Sequence, residues 1–132
     1  MQRGEESNVV SKRVLDVGNC VPDHAAIRSL LERTFGAEVV QAHGQDDTLA
    51  ALRSGTFDLV LVNRKLDQDH SDGIDIIEAI QCDVALDPTP IMLITNYEDH
   101  QAAAVAAGAE PGFGKLSLNT PQTLERLGKF LK

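Results

Sequence analysis

Carboxylates and a histidine are concentrated in one short segment of the chain. Asp67, Asp69, His70 and Asp72 fall within six consecutive positions. Carboxylate and imidazole groups are common ligands of divalent cations, so metal binding is one interpretation of this segment. The other interpretation is a solvated loop in which Asp72 caps the helix that follows. We favour the loop, because acids without a rigid register are common on protein surfaces.

The two cysteines offer a second kind of chemistry. Cys20 and Cys82 are too few for a disulfide framework, and with the four scattered histidines they show no zinc-binding spacing. A thiol becomes a redox sensor where a nearby cation or a helix terminus lowers its pKa, and Lys115 is the candidate cation for Cys20. The alternative, which we favour, is that Cys20 fills space and that Cys82, on the third helix, is a packing residue.

Composition excludes several classes of function. The chain has 132 residues, with 12 Lys and Arg against 20 Asp and Glu, for a net charge of −8. This balance argues against nucleic-acid binding, which needs clustered cations. No apolar run approaches the ~20 residues of a membrane span. Residues 1–12 are polar and are expected to form a flexible leader before one domain at 13–132, and a cytoplasmic location is expected.

Short apolar runs alternate with helical patterns along the rest of the chain. Strands are predicted at residues 14–17, 38–42, 57–62 and 91–95, with a weak fifth strand through Phe113. Helices are predicted at residues 22–36, 46–55, 72–80, 98–107 and 120–131. Five strands alternating with five helices indicate an α/β domain with a parallel sheet. Functional residues of such domains follow the carboxyl ends of the strands.

Several segments in fixed order resemble the receiver domain of bacterial two-component response regulators. The resemblance covers residues 13–131 and rests on the strand 57–62 and the residue after it, Leu66, Asp72-Gly73, residues 89–95, residues 106–109 and Lys115. It implies a flavodoxin-like three-layer α/β/α sandwich with a five-stranded parallel sheet in the order 2-1-3-4-5. In that family an aspartate after the third strand is phosphorylated, and an acidic pair after the first strand helps to hold Mg²⁺.

The positions that carry this chemistry have changed here. The phosphoacceptor position falls on Asn63, whose amide cannot form an acyl phosphate. The acidic pair falls on Asn19 and Cys20 if the first helix sets the register, or on Gly18 and Asn19 if the strand does. Neither register contains a carboxylate, and Mg²⁺ binding is therefore expected to be weak or absent, with no other cofactor.

Other positions are kept or altered. Thr95 and Lys115 match the phosphoryl-binding threonine and lysine of the family, whereas the switch aromatic corresponds to Gly112. We expect neither Asp16 nor Asp23 to replace the missing acids, so Lys115 should lack its usual ion-pair partners. Asn63 is expected either to form a hydrogen bond with Lys115 or Thr95, freezing one conformation, or to make only a local loop contact.

The resemblance implies a non-enzymatic signalling module that works by binding proteins without being phosphorylated. Candidate partners are a histidine kinase, an effector or another receiver, and a homodimer through the fourth and fifth helices is possible by analogy. One alternative is a phosphoacceptor that uses Asp67 or His70. Another is a flavodoxin-like small-molecule binder, which the lack of a glycine-rich phosphate loop disfavours.

Overall fold

Five short strands form a single parallel sheet in the computed structural model, which describes residues 11–132. The strands are β1 (Arg13–Val17), β2 (Glu38–Ala42), β3 (Leu59–Asn63), β4 (Ile91–Ile94) and β5 (Glu110–Phe113). Their order in the sheet is β2-β1-β3-β4-β5. The predicted flavodoxin-like topology is therefore confirmed. The predicted leader lies outside the described residues except for its last two positions.

Five helices cover the two faces of the sheet. They are α1 (Val21–Phe35), α2 (Gln45–Ser54), α3 (Gly73–Cys82), α4 (Glu98–Ala106) and α5 (Pro121–Leu131). A single 3₁₀ turn at Lys115–Ser117 lies between β5 and α5. None of the helices in the described part of the chain is long and apolar enough to cross a membrane.

Local sequence signals explain where the helices begin and end. The Asp72 carboxylate accepts a hydrogen bond from the backbone N–H of Ile74 at 2.9 Å and caps α3. Thr120 caps α5 in the same way, with Pro121 as the first helical residue. Gly36 ends α1 in the left-handed conformation, with φ of 64°. α3 ends at Cys82, earlier than Pro88, because Asp83 starts a turn by accepting from the N–H of Ala85.

The core has two halves, one on each face of the sheet. On the face covered by α2, α3 and α4, the buried side chains include Leu15, Val17, Val60, Val62, Ile76, Ile77 and Leu93. On the face covered by α1 and α5, they include Val14, Ile27, Leu31, Leu59, Leu61, Met92 and Leu127. The predicted third strand is buried on both sides, as its continuous apolar run indicated, although it begins at Leu59 and not at Phe57.

Candidate functional site at the carboxyl edge of the sheet

A buried aspartate lies in the central strand β1. Asp16 is fully buried, and strand alternation places it on the same face as Val14, beneath α1. Its Oδ1 accepts a hydrogen bond from Asn19 Nδ2 at 2.6 Å, and its Oδ2 lies 2.6 Å from Nδ1 of His24, in the first turn of α1. Both carboxylate oxygens therefore have partners, as a buried carboxylate requires.

A second carboxylate pairs with the lysine after β5. Lys115 Nζ donates to Asp23 Oδ2 at 2.7 Å, and the thiol of Cys20 donates to the same oxygen at 3.2 Å. The contact joins the start of α1 to the loop after β5, across 92 residues of sequence. The two side chains remain 32% and 40% exposed, so water screens the pair.

The pKa values of the two carboxylates are shifted in opposite directions. Burial raises the pKa of Asp16, and the hydrogen bonds from His24 and Asn19 and the nearby Lys115 charge oppose that rise. The hydrogen bond from Lys115 holds the pKa of Asp23 below its ordinary value. The lysine is thus shared electrostatically by two acids, although it touches only one of them.

Asn63 uses its amide to close the loop beside it. It is the last residue of β3, and its Nδ2 donates to the carbonyl of Lys65 at 2.7 Å and to the carbonyl of Gly18 at 3.3 Å. The predicted hydrogen bond to Lys115 or Thr95 is therefore wrong, because both amide hydrogens are used by neighbouring backbone. The alternative prediction, a local loop contact, describes this arrangement.

The hydroxyl of Thr95 also has hydrogen-bond partners close by in the chain. Its Oγ1 accepts from the backbone N–H of Tyr97 at 3.3 Å and lies 3.3 Å from Nδ1 of His100. The rings of Tyr97 and His100 meet edge to face at 5.3 Å. Thr95 therefore helps to fix the first turn of α4.

The residues of the two candidate registers for the acidic pair lie directly after β1. That strand ends at Val17, which pairs with Val62, so Gly18 and Asn19 are the first residues beyond it and lie next to Asn63. Cys20 is one position further and caps α1 with its backbone, its thiol directed at Asp23. Lys115 is engaged by that same carboxylate, so it is not a cation dedicated to a Cys20 thiolate. The redox hypothesis gains nothing from this geometry.

Two of the three carboxylates in the acidic loop after β3 accept hydrogen bonds within the loop or from the start of α3, whereas Asp67 Oδ1 lies 3.8 Å from Nδ1 of His43. Asp69 Oδ1 accepts from both the backbone N–H and the hydroxyl of Ser71, which lowers the pKa of Asp69. Asp72 caps α3, and His70 adopts a left-handed backbone with φ of 59°. Within residues 11–132, no three His, Cys, Asp or Glu side chains are grouped to hold a metal ion.

One expectation from the sequence is contradicted here. The crevice was expected to lack carboxylates, yet Asp16 and Asp23 both lie in it and Lys115 has an ion-pair partner. The sequence carried a signal for this: Asp16 is the single acid in an otherwise apolar strand, and His24 follows one helical turn into α1. A buried acid requires a polar partner, and His24 is the residue that the fold brings to it.

The sequence matches the response regulator receiver domain family over residues 20–115, which is most of the chain. The chain therefore belongs to the response regulator receiver domain family.

Solved structures share the fold of this chain. The chemotaxis protein CheY4 of Vibrio cholerae superposes with a TM-score of 0.72 at 19% identity, over 93% of this chain and all of that one. A CheY-like receiver domain protein from Methanospirillum hungatei gives 0.72 at 24% identity, over 92% and 94% of the two chains. A response regulator from Burkholderia pseudomallei with a phosphorylated aspartic acid and a calcium ion gives 0.68 at 22% identity, over 92% and 67%.

The oxygen atoms of the crevice do not suit the Mg²⁺ ion that the family implies. Mg²⁺ requires near-octahedral coordination by oxygen and is usually held through one or two carboxylates. Here the Asp16 oxygens are taken by Asn19 and His24, and an Asp23 oxygen by Lys115 and Cys20. The Asn63 amide directs N–H groups at the carbonyls beside it. Asn19 Oδ1 and, on the neighbouring loop, Asp67 Oδ1 are buried side-chain oxygens without a hydrogen-bond partner among the described residues.

Proposed function

We propose that this receiver domain transmits a signal without being phosphorylated and acts by binding another protein in a two-component pathway. The single observation that carries the proposal is the Asn63 amide at the phosphoacceptor position, bonded to the carbonyls of Lys65 and Gly18. An amide is a poor nucleophile, and this one has both of its hydrogens engaged. The domain is then a binding module without catalytic activity, held in the cytoplasm with its partner.

The charge arrangement supports the same proposal. In a phosphorylated receiver the lysine after the fifth strand contacts the phosphoryl oxygens. In this chain Lys115 is 2.7 Å from Asp23 and close to the buried Asp16. Lys115 is therefore paired with a carboxylate of α1, whereas the residue at the phosphoacceptor position, Asn63, is hydrogen-bonded to backbone carbonyls.

The partner is a histidine kinase, an effector or a second receiver, and the face formed by α4, β5 and α5 is the proposed contact. Large apolar side chains are exposed on this face and at its edge: Val105 on α4, Tyr97 directly before α4 and Leu116 in the turn after β5. Exposed apolar groups are typical of a surface that a partner covers. A homodimer through α4 and α5 is one form of this contact.

The proposal is tested by measuring the intact mass after incubation with acetyl phosphate and Mg²⁺. Wild-type protein should gain no phosphoryl group, and Asn63→Asp should also gain none, since the crevice lacks a suitable set of Mg²⁺ ligands. A phosphoryl group on the wild-type chain would overturn the proposal, and peptide mapping would then examine Asp67 and His70 first. Addition to the variant alone would show that Asn63 is the only barrier to phosphorylation.

A further inference from the structure

The edge strand β5 carries an irregularity at the position of the family's switch aromatic. Met92 pairs with Glu110 and Ile94 pairs with Phe113, so Pro111 and Gly112 together lie opposite the single residue Leu93. This is a β-bulge, which interrupts the ladder of backbone hydrogen bonds. Pro111 has no N–H to contribute, which weakens the ladder further.

The side chain of Gln101 supplies the missing bonds. It projects from α4, and its Nε2 donates to the carbonyl of Leu93 at 2.9 Å and to that of Thr95 at 3.3 Å. Its Oε1 accepts from the backbone N–H of Gly112 at 2.9 Å. A primary amide has the same donor and acceptor as a peptide group, so it replaces the ladder partners of both strands at once.

The other polar group of Gly112 is taken by α5. The guanidinium of Arg126 donates through Nη1 to the Gly112 carbonyl. Both backbone groups of one residue in β5 are therefore bonded to side chains from the two flanking helices. A side chain at this position would not fit: a Cβ on Gly112 would lie 2.3 Å from the carbonyl oxygen of Leu93.

We infer that Gln101 and Arg126 hold α4 and α5 against β5 in a single arrangement, replacing the movable aromatic of a switching receiver with a fixed polar clamp. Gln101 is a positioning residue in this role, because it fixes the binding face from beneath. The inference deepens the proposed function and rests on it, since a permanently fixed face serves a domain that phosphorylation does not switch.

Amide hydrogen exchange at Gly112, followed by NMR, tests the clamp directly. In wild-type protein the Gly112 N–H should exchange slowly, as buried bonded amides do. Gln101→Leu should accelerate this exchange about tenfold or more, which corresponds to the loss of about one hydrogen bond. The matched control is Gln81→Leu, which removes a hydrogen bond from a glutamine to the carbonyl of Gly108 on an exposed part of the surface and should leave Gly112 unchanged.

A second measurement separates a fixed face from mere stability. Relaxation dispersion should detect no microsecond-to-millisecond exchange in residues 98–113 of wild-type protein and should detect it in Gln101→Leu, with residues 21–35 silent in both. Should Gln101→Leu fail to fold, Gln101→Glu keeps the acceptor for Gly112 but loses the donor to Leu93. Arg126→Met removes the second bond and keeps the apolar stem.

Fast Gly112 exchange or dispersion in wild-type protein would overturn the clamp, as would unchanged exchange in every clamp variant. These measurements use unmodified protein without a partner. Failure of the clamp inference would appear in these NMR measurements, whereas failure of the proposed function would appear as phosphorylation in the mass measurement. The two failures are therefore distinguishable.

Discussion

Replacing Asn63 by aspartate should destabilise the domain, although it restores the residue that receivers phosphorylate. The Asn63 amide donates at 2.7 Å to the Lys65 carbonyl and at 3.3 Å to the Gly18 carbonyl. A carboxylate cannot donate, so both bonds are lost and an anionic oxygen faces two carbonyl oxygens. Net losses of about 1 kcal/mol for a bond, with the added repulsion, give a decrease of about 2–3 kcal/mol in the free energy of unfolding.

Urea unfolding without divalent cations measures this change, and about 1 M is expected as the shift in midpoint. Asn96→Asp is the matched control at the same edge of the sheet. The Asn96 side chain accepts from the N–H of Leu116 through its oxygen, so aspartate keeps the bond and stability should change by less than about 0.5 kcal/mol. Millimolar Mg²⁺ should recover less than half of the loss in Asn63→Asp. If Asn63→Asp without Mg²⁺ had the same free energy of unfolding as the wild-type protein, the reasoning would be refuted.

Three further predictions concern the same crevice. Lys115→Met should lower the free energy of unfolding by less than about 1 kcal/mol, because its ion pair with Asp23 is partly exposed. Since Lys115 lowers the pKa of Asp23, this contribution is present above pH 3.8 and is lost as the pH falls through the pKa of Asp23 in the folded protein. Urea unfolding from pH 3 to 7 checks this. The Asp16 carboxyl should titrate above pH 3.8, which ¹³C NMR measures. Its contribution to the free energy of unfolding should therefore fall as the pH rises from 3.8 through the pKa of Asp16 in the folded protein. Titration at or below 3.8 would contradict the burial argument. Gly73→Ala should cost at least about 2 kcal/mol in thermal or urea unfolding, because its Cβ would lie 2.2 Å from the Asn63 carbonyl oxygen; a near-neutral effect would show that α3 can shift.

The alternation of strands and helices could be predicted because most elements carried a local signal, whereas the order of the strands in the sheet was what the resemblance to receiver domains implied. Thr120 and Asp72 mark helix starts through capping, and both cap as expected. The apolar run at residues 57–62 indicated a strand buried on both faces, and Leu59 to Val62 are fully buried. These signals depend on neighbours in the chain and not on tertiary contacts.

The crevice was harder to predict because its contacts join distant residues. Lys115 and Asp23 are 92 positions apart, and only the folded domain brings them together. A receiver pattern is compared with the sequence position by position. The comparison therefore shows that the usual carboxylates are missing, but not that Asp16 and Asp23, at other positions, lie close to Lys115. Gln101 was missed for the same reason, since a glutamine on α4 carries no signal until the bulge in β5 is known.

The hydrogen bonds of Asp16 with Asn19 and His24 make these three positions interdependent during evolution. An apolar residue in place of Asp16 would be ordinary in this strand, but it would leave the donors of Asn19 and His24 without a partner in a buried space. An unpaired buried donor costs about 1–3 kcal/mol, a large share of a small domain's stability. Relatives of this chain should therefore keep the aspartate, asparagine and histidine as a set or lose all three, so a return to the ordinary receiver site has to pass through less stable intermediates.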